Sequence, residues 1–342
     1  MFTWFWRTAL LFVTLSAILA AVVYTNLTKP MQLQEPESFV VATGATGQKI
    51  GQQLADRGWV VNPLLVRVAF KLNPQWVPKV GKYQVEPGMT LLTALALFDS
   101  GKAIQYQVTL VEGKTTQDYV QAMSKKGNIK MTLEGLSNLE IANMLSLNVK
   151  HAEGQFFANT YTYSEGDTDA SILLQANKKL KQVLDKYWTE HDKKLPYKNA
   201  QESLIMASIV EKETGAKEER ARIAGVFVNR LNRKMRLQTD PTVIYGMGDS
   251  YDGNIRRKHL KQNTPYNTYR IYGLPPTPIA NVGEEAIKAA LNPEVTKALY
   301  FVAKGDGTHT FSNTLKQHNA AVAKYQRFQR RKDYQSKPSQ GN

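Results

Sequence analysis

The chain contains no cysteine in 342 residues, so disulfide frameworks, thiolate nucleophiles and cysteine-ligated metal centres are excluded. Histidine is scarce as well. His151, His191, His259, His309 and His318 show no ligand spacing, such as two on adjacent helical turns, so neither a catalytic zinc site nor another cofactor is expected. Negative charge is in deficit: 29 acidic residues face 44 basic ones, a formal net charge of +15. That excess favours an acidic partner, whether nucleic acid, anionic lipid headgroups or an anionic wall polymer. Much of it lies in Lys178, Lys179, Lys181, Lys186, Lys193 and Lys194, and in Arg327, Arg330, Arg331 and Lys332 near the end. Runs of this kind read first as solvated faces.

Charge of either sign is missing from Thr8 to Thr28, where the residues are strongly apolar. A stretch of about 20 such residues matches the hydrocarbon thickness of a bilayer. Trp4 and Trp6 flank one end and Tyr24 the other, as interfacial aromatics do. Arg7 precedes the span and Lys29 follows it, a weak bias toward a cytoplasmic N-terminus (1–7). A cleaved signal peptide is the rival reading, but no Ala-x-Ala site follows the core, which favours an uncleaved anchor over 8–28. Everything beyond Thr28 then lies outside the cytoplasm, and nucleic acid becomes a poor partner.

The roughly 310 residues that follow suffice for two or three domains with cores of their own. Lys29 to Glu37 is polar, contains proline and reads as a linker. A weak repeat comes next. Phe39–Val41, Tyr83–Val85 and Val108–Val111 each run into a Gly-x-Thr turn (Gly44, Gly88, Gly113) and an apolar-periodic segment. Each unit predicts a strand, a glycine turn, a threonine N-cap and an amphipathic helix. From about Met123 to Gln201 the chain reads as mostly helical and polar. Its aromatics Phe156, Phe157, Tyr161 and Tyr163 suit either sugar stacking or core closure.

Leu204 to Val210 is apolar and runs into Glu211-Lys212-Glu213. On a helix, with Ile205 at zero, Ile209 falls at about 40°, Glu213 at about 80°, Met206 at about 100° and Val210 at about 140°. Glu213 thus lies within an apolar arc, while Glu211 falls at about 240°, off it. A carboxyl held against apolar groups loses solvation of its charged form and rises in pKa, as a general acid for a glycosidic oxygen requires. The geometry equally admits a solvated glutamate in a frayed last turn before Gly215. A second helix follows, with Ile223, Val226, Phe227 and Leu231 at helical spacing. Arg236 to Gly246 is dense in hydrogen-bonding groups and reads as ending in a strand or turn. Asp240, stiffened by Pro241, reads as a partner that orders the 238–242 loop. The Pro-rich run Gly273 to Ile279 is too stiff for a helix or central strand and suits a cleft wall. Leu299 to Ala303 and His309 to Phe311, joined through Gly305-Asp306-Gly307, read as a hairpin.

The segments Ala207–Thr214, Arg236–Gly246, Tyr266–Tyr269, Leu274–Asn281 and Tyr300–Thr310 occur in order and with spacing that resembles the YceG-like family. Those proteins are membrane-anchored endolytic murein transglycosylases that face the peptidoglycan, and the likeness runs from the anchor through Lys324. It implies an α+β fold: one transmembrane helix, a linker (29–37), a LysM-like wall-binding βα subdomain (38–104), an α+β catalytic domain (105–335) and a flexible tail (336–342). It implies Glu213, second of the Glu-x-Glu pair, as the catalytic acid/base. Gln238, Thr239, Asp240, Tyr245, Asn267, Tyr269, Pro276 and His309 become substrate-binding candidates, with no metal and no cofactor. The implied partners are glycan strands, one membrane span, and the synthases and division or elongation machinery. The implied place is the inner membrane, with the catalytic domain periplasmic. The implied reaction breaks the β-1,4 bond between N-acetylmuramic acid and N-acetylglucosamine, leaves a 1,6-anhydro end and terminates strand growth. A non-catalytic wall-binding scaffold and a hydrolytic muramidase are the alternatives. The chain departs from the family pattern at Ala158-Asn159-Thr160-Tyr161, where relatives carry Pro-Asp-Thr-Tyr, and at Asn281-Val282-Gly283, where many carry Asn-Pro-Gly. The first departure leaves no aspartate at position 159 to assist catalysis.

Overall fold

The computed structural model describes residues 2–328. The expected tail (336–342) and the basic residues Arg330, Arg331 and Lys332 lie outside the described residues. The chain forms two compact units, one of residues up to 107 with 128–130 and 162–167, the other of 108–127, 131–161 and 168 onward.

The first unit opens on helix α1 (Phe2–Thr28), of which Trp6–Thr28 is long and apolar enough to cross a membrane. Then come β1 (Glu37–Val41), α2 (Gly47–Asp56), α3 (Leu64–Leu72), β2 (Gly81–Val85) and α4 (Leu91–Ser100). Strands β1 and β2 pair antiparallel, Glu37 opposite Val85 and Val41 opposite Gly81. The two helices between them form a β-α-α-β unit. Alternation puts Phe39, Val41, Tyr83 and Val85 on one face of the sheet, over a core with Ile50, Leu54, Leu95 and Phe98. The stretch after α1 is docked on this unit: Met31 is buried, and its N–H donates to Met89 O at 2.8 Å.

Strand β3 (Gln105–Leu110) begins in the first unit and ends in the second, and it pairs with β4 (Asn159–Ser164). Between them lie α5 (Thr116–Ser124) and α6 (Asn138–Met144). The rest of the second unit is α7 (Asp169–Glu190), α8 (Ala200–Glu213), α9 (Arg220–Asn232), α10 (Asp240–Met247), α11 (Arg257–Lys261), α12 (Glu284–Leu291), β5 (Tyr300–Ala303), β6 (His309–Ser312) and α13 (Leu315–Val322). The mixed α+β content matches the expected class.

The three Gly-x-Thr segments adopt the predicted local structure. Gly44, Gly88 and Gly113 take left-handed φ, and Thr46, Thr90 and Thr115 each accept the N–H of the third residue on, capping α2, α4 and α5. They are not three equivalent copies, because the third builds into the second unit. The aromatics Phe156, Phe157 and Tyr161 of the second unit and Tyr163 of the first are all buried. They close cores.

Helix α8 is the axis of the second unit, with α7, α9, α10 and α12 packed on it. Every residue from Ser203 to Val210 is buried. Over these residues the helix is therefore buried all round rather than along one arc. The off-arc side of α8 is covered too, and the Glu211 side chain there is only 3% exposed. One sequence reading is corrected here. Val243 to Gly246 is helix, not strand or turn, because Asp240 and Pro241 open a helical first turn and Thr242 Oγ1 donates back to Thr239 O at 2.8 Å. The expected hairpin is present, with Phe301 opposite Phe311 and Ala303 opposite His309.

Candidate active site

Glu213 is the last residue of α8; Thr214 turns extended and ends the helix. The carboxyl lies beside a cavity of about 650 Å³ lined by Arg230, Gln238, Asp240, Tyr269, Tyr300, Phe301, His309 and His318, among others. That volume falls within the range of small-ligand sites. Burial pushes the Glu213 carboxyl up to about 7. A hydrogen bond from the Thr239 hydroxyl opposes the rise, the Asp240 carboxylate adds to it, and the Arg230 charge works against it. A carboxyl poised near 7 can both give and take a proton at neutral pH.

Thr239 is itself held. Its N–H donates to Thr268 Oγ1 at 3.0 Å, its carbonyl accepts Thr242 Oγ1, and the Thr242 and Thr268 hydroxyls lie 2.9 Å apart. All three threonines are buried. Gln238, just before, has φ 51°, a left-handed backbone rare outside glycine, and its N–H donates to Thr268 O at 3.1 Å. Strain of this kind persists where surrounding bonds over-determine it, and it gathers at functional sites. Asp240 accepts the Tyr269 hydroxyl at 2.7 Å. That bond joins the start of α10 to the 264–270 loop.

The structure thus brings Gln238, Asp240, Tyr269 and His309 to one cavity with Glu213, and places Thr239 on the Glu213 carboxyl. His309 is fixed by Glu219, whose Oε1 accepts its backbone N–H at 2.9 Å and whose Oε2 lies 2.7 Å from its Nδ1. Three other candidates lie elsewhere. Tyr245 packs edge-on to Tyr266 with ring centres 5.0 Å apart and bonds to Glu153. Asn267 is a buried loop staple that donates to His259 O and Gln262 O and accepts the Tyr269 N–H at 3.0 Å. Pro276 is exposed, away from the cavity lining.

Sequence reasoning missed Arg230, Tyr300 and His318. Arg230 is buried on the inner face of α9, donates from Nε to Leu299 O and from Nη1 to Leu237 O, both at 2.7 Å, and lies 5.1 Å from the Tyr300 ring centre. His318 stacks on the other partner of that assembly, Tyr300, at 5.2 Å. One signal was available: Arg230 falls one turn after Val226 and Phe227, a charge set into an apolar face.

Glu211 faces another way. Its Oε1 lies 2.9 Å from Arg220 Nη2, and its Oε2 accepts the Gly283 N–H at 3.2 Å. A second buried carboxyl, Glu153, is pushed up to about 7 by burial, although Thr116, Gly154 and Tyr245 hydrogen-bond to it. Both tie segments of the second unit together.

The first unit has a shallow groove of about 670 Å³ between Gly47-Gln48 and Pro74–Pro78, floored by Phe70 and Trp76 and edged by Arg67 and Lys71. Gly47 admits the Phe70 ring closely; a Cβ there would sit 2.8 Å from it.

The YceG-like family profile matches residues 39–324. An endolytic murein transglycosylase of Bacillus subtilis (strain 168) is 36% identical over 265 residues, 72% of this chain and 73% of that protein. One from Streptococcus pneumoniae serotype 2 (strain D39) is 28% identical over 83% of this chain, which spans 57% of that relative's length. The crystal structure of a YceG-like protein from Listeria monocytogenes, 29% identical, aligns with a TM-score of 0.53 over 84% of this chain and 100% of that one. With the profile covering most of the two units, the chain belongs to the YceG-like family.

Proposed function

We propose that the chain is a peptidoglycan-cleaving enzyme of the lyase type, an endolytic murein transglycosylase with Glu213 as its single acid/base. The observation that carries the reading is one carboxyl, raised to about 7, beside a polar and aromatic cavity. Protonated Glu213 gives its proton to the glycosidic oxygen as the bond from the muramyl C1 breaks. The resulting carboxylate takes the proton of the muramyl C6 hydroxyl, whose oxygen closes on C1. The products are a free 4-hydroxyl and a 1,6-anhydro end, no water is consumed, and Glu213 is again protonated. An intramolecular nucleophile has a large effective molarity and needs no second carboxylate to activate water. Among the described residues lining the cavity, the other carboxylate is Asp240, which is engaged by Tyr269 and suits a role in ordering the site. Tyr269 and Phe301 lend aromatic surface for sugars, Tyr300 being already covered by Arg230 and His318, and Gln238 and His309 offer polar contacts.

The same reading makes α1 a single-pass anchor of the inner membrane with a cytoplasmic N-terminus and a periplasmic remainder. The β-α-α-β unit within 38–104 becomes a LysM-like wall-binding module, its ligand groove the one at Phe70 and Trp76. Cleavage of nascent strands at the Glu213 cavity would end their elongation, beside the synthases that make them. Mass spectrometry of sacculi digested with the purified protein tests the chemistry. Anhydro-muramyl ends are expected; reducing ends would make the protein a muramidase, and intact glycan a scaffold.

A further inference from the structure

On α3, with Leu64 at zero, Val68 falls at about 40°, Leu72 at about 80° and Leu65 at about 100°, whereas Lys71 and Arg67 fall at about 340° and 300°. Val66 and Ala69, on the far side, are fully buried in the unit's core. The stripe that remains is apolar yet open to solvent: Leu64 is 56% and Leu72 65% exposed, with Leu65 and Val68 half-buried. A soluble surface gains nothing from such a stripe. Its flank of Arg67 and Lys71, both exposed, is the arrangement of a helix that lies in a membrane interface.

Helix α1 supplies the membrane. From Trp6 to Tyr24 it runs about 27 Å, close to the roughly 30 Å of a hydrocarbon core. The headgroup plane therefore lies near Tyr24. Yet Val23 already packs against the first unit and Leu27 is 3% exposed within its core, with α1 seated on α3 and α4. The unit begins within one helical turn of the bilayer. The helix that carries the exposed stripe is one of the two on which α1 rests.

We propose that the Leu64–Val68–Leu72 stripe of α3 is immersed in the headgroup and upper acyl region of the bilayer that α1 spans, with Arg67 and Lys71 on anionic headgroups. The first unit is then a membrane-surface body held by two attachments, and the Phe70–Trp76 groove, on the adjoining face of α3, is held at headgroup level. The proposal rests on reading α1 as a membrane span.

Because the chain has no cysteine, single labels are unique. The full chain carrying Leu64→Cys or Leu72→Cys, labelled with a polarity-sensitive fluorophore, is placed one copy per nanodisc in lipid containing a nitroxide just below the headgroup. Gln53→Cys on the polar face of α2, Tyr24→Cys and Leu15→Cys are the references. Labels at 64 and 72 are expected to be quenched several-fold more than at 53, and comparably with 24. No quenching at 15 by a nitroxide placed instead at the acyl-chain end, near the midplane where Leu15 would lie, would overturn both the span and this proposal. Quenching at 15 with 64 and 72 no better quenched than 53 overturns the proposal and leaves the anchor standing. A blue-shifted but unquenched label at 64 or 72 also overturns it, since protein and not lipid then covers the stripe. Leu64→Glu with Leu72→Glu, at exposed positions that leave the core intact, is expected to reduce quenching of a Val61→Cys label; unchanged quenching there counts against the proposal.

Discussion

Glu211 and Glu213 are two residues apart and do opposite things. Glu213→Gln keeps the shape and the bond to Thr239 but cannot shuttle a proton, so release of anhydro-muropeptides is expected to fall by about 10²–10⁴-fold or more. Thermal stability should hold or rise slightly, because a carboxyl with unfavourable surroundings is removed. In the parent, cleavage should decline as pH rises through about 7, where the acid form of Glu213 is lost; a pH–rate profile with no limb there would count against the assignment. Glu211→Gln is a different experiment from the one the helical arc suggests. The side chains of Glu211 and Arg220 are 3% and 7% exposed, so removing the Glu211 charge takes the 2.9 Å partner from a buried guanidinium and leaves it the half-exposed Glu112 carboxylate at 3.7 Å. Because Glu112 remains, the cost is expected below the about 3–5 kcal/mol of a buried charge left with no partner, seen as a lower unfolding midpoint. Molecules that remain folded should keep their cleavage activity.

Helix packing in the second unit turns on a missing side chain. Gly225 lies inside α9, where replacement by alanine would normally favour the helix by about 1 kcal/mol. Here a Cβ would collide with the carbonyl oxygen of Glu294. That segment cannot drift away freely, because the Glu294 N–H donates to Ala221 O on the same helix at 2.9 Å. Overpacking of this kind costs about 1–3 kcal/mol, so the collision wins and Gly225→Ala should melt lower than the parent in a thermal scan. A higher midpoint would mean that the 292–296 segment yields. In the first unit, Trp76 forms part of the groove floor. Trp76→Ala should weaken retention of the protein on purified sacculi without altering product type, and undiminished retention would remove the groove from wall binding.

Across the second unit, the buried Glu153 carboxyl gathers Thr116 at the start of α5, the Gly154 turn and Asn281 before α12 through hydrogen bonds of 2.9 to 3.4 Å. Its pKa is raised from 4.5 to about 7, so the folded state holds this proton more tightly than the unfolded chain does. The stabilisation is fully present below about 4.5 and is lost as pH rises through about 7. At 1.36 kcal/mol per unit the loss is of order 3 kcal/mol. Glu153→Gln should flatten this part of the stability-against-pH curve, as measured by urea midpoints; an unchanged slope would show that Glu153 is ionised throughout.

Whatever depended on neighbours in the chain could be read from the chain. The threonine caps, the glycine turns, the hairpin through Gly305–Gly307 and the apolar run of α1 are set by local sterics and hydrogen bonding within a few residues, and each has the predicted form. The motif around Glu213 was legible for the same reason. Everything that depended on what packs against a residue was not. Helical angle alone puts Glu211 off the apolar arc and does not show that Arg220 of α9 and the Gly283 loop close over it. Arg230, Tyr300 and His318 are separated by up to 88 positions along the chain (318 minus 230) and meet only because the hairpin and α13 fold over α9. The same long-range packing separates Tyr245, Asn267 and Pro276 from the cavity although they lie in neighbouring motifs. Burial also sets the pKa of Glu213 and of Glu153, since desolvation is a property of the surrounding volume and not of the sequence that flanks a residue.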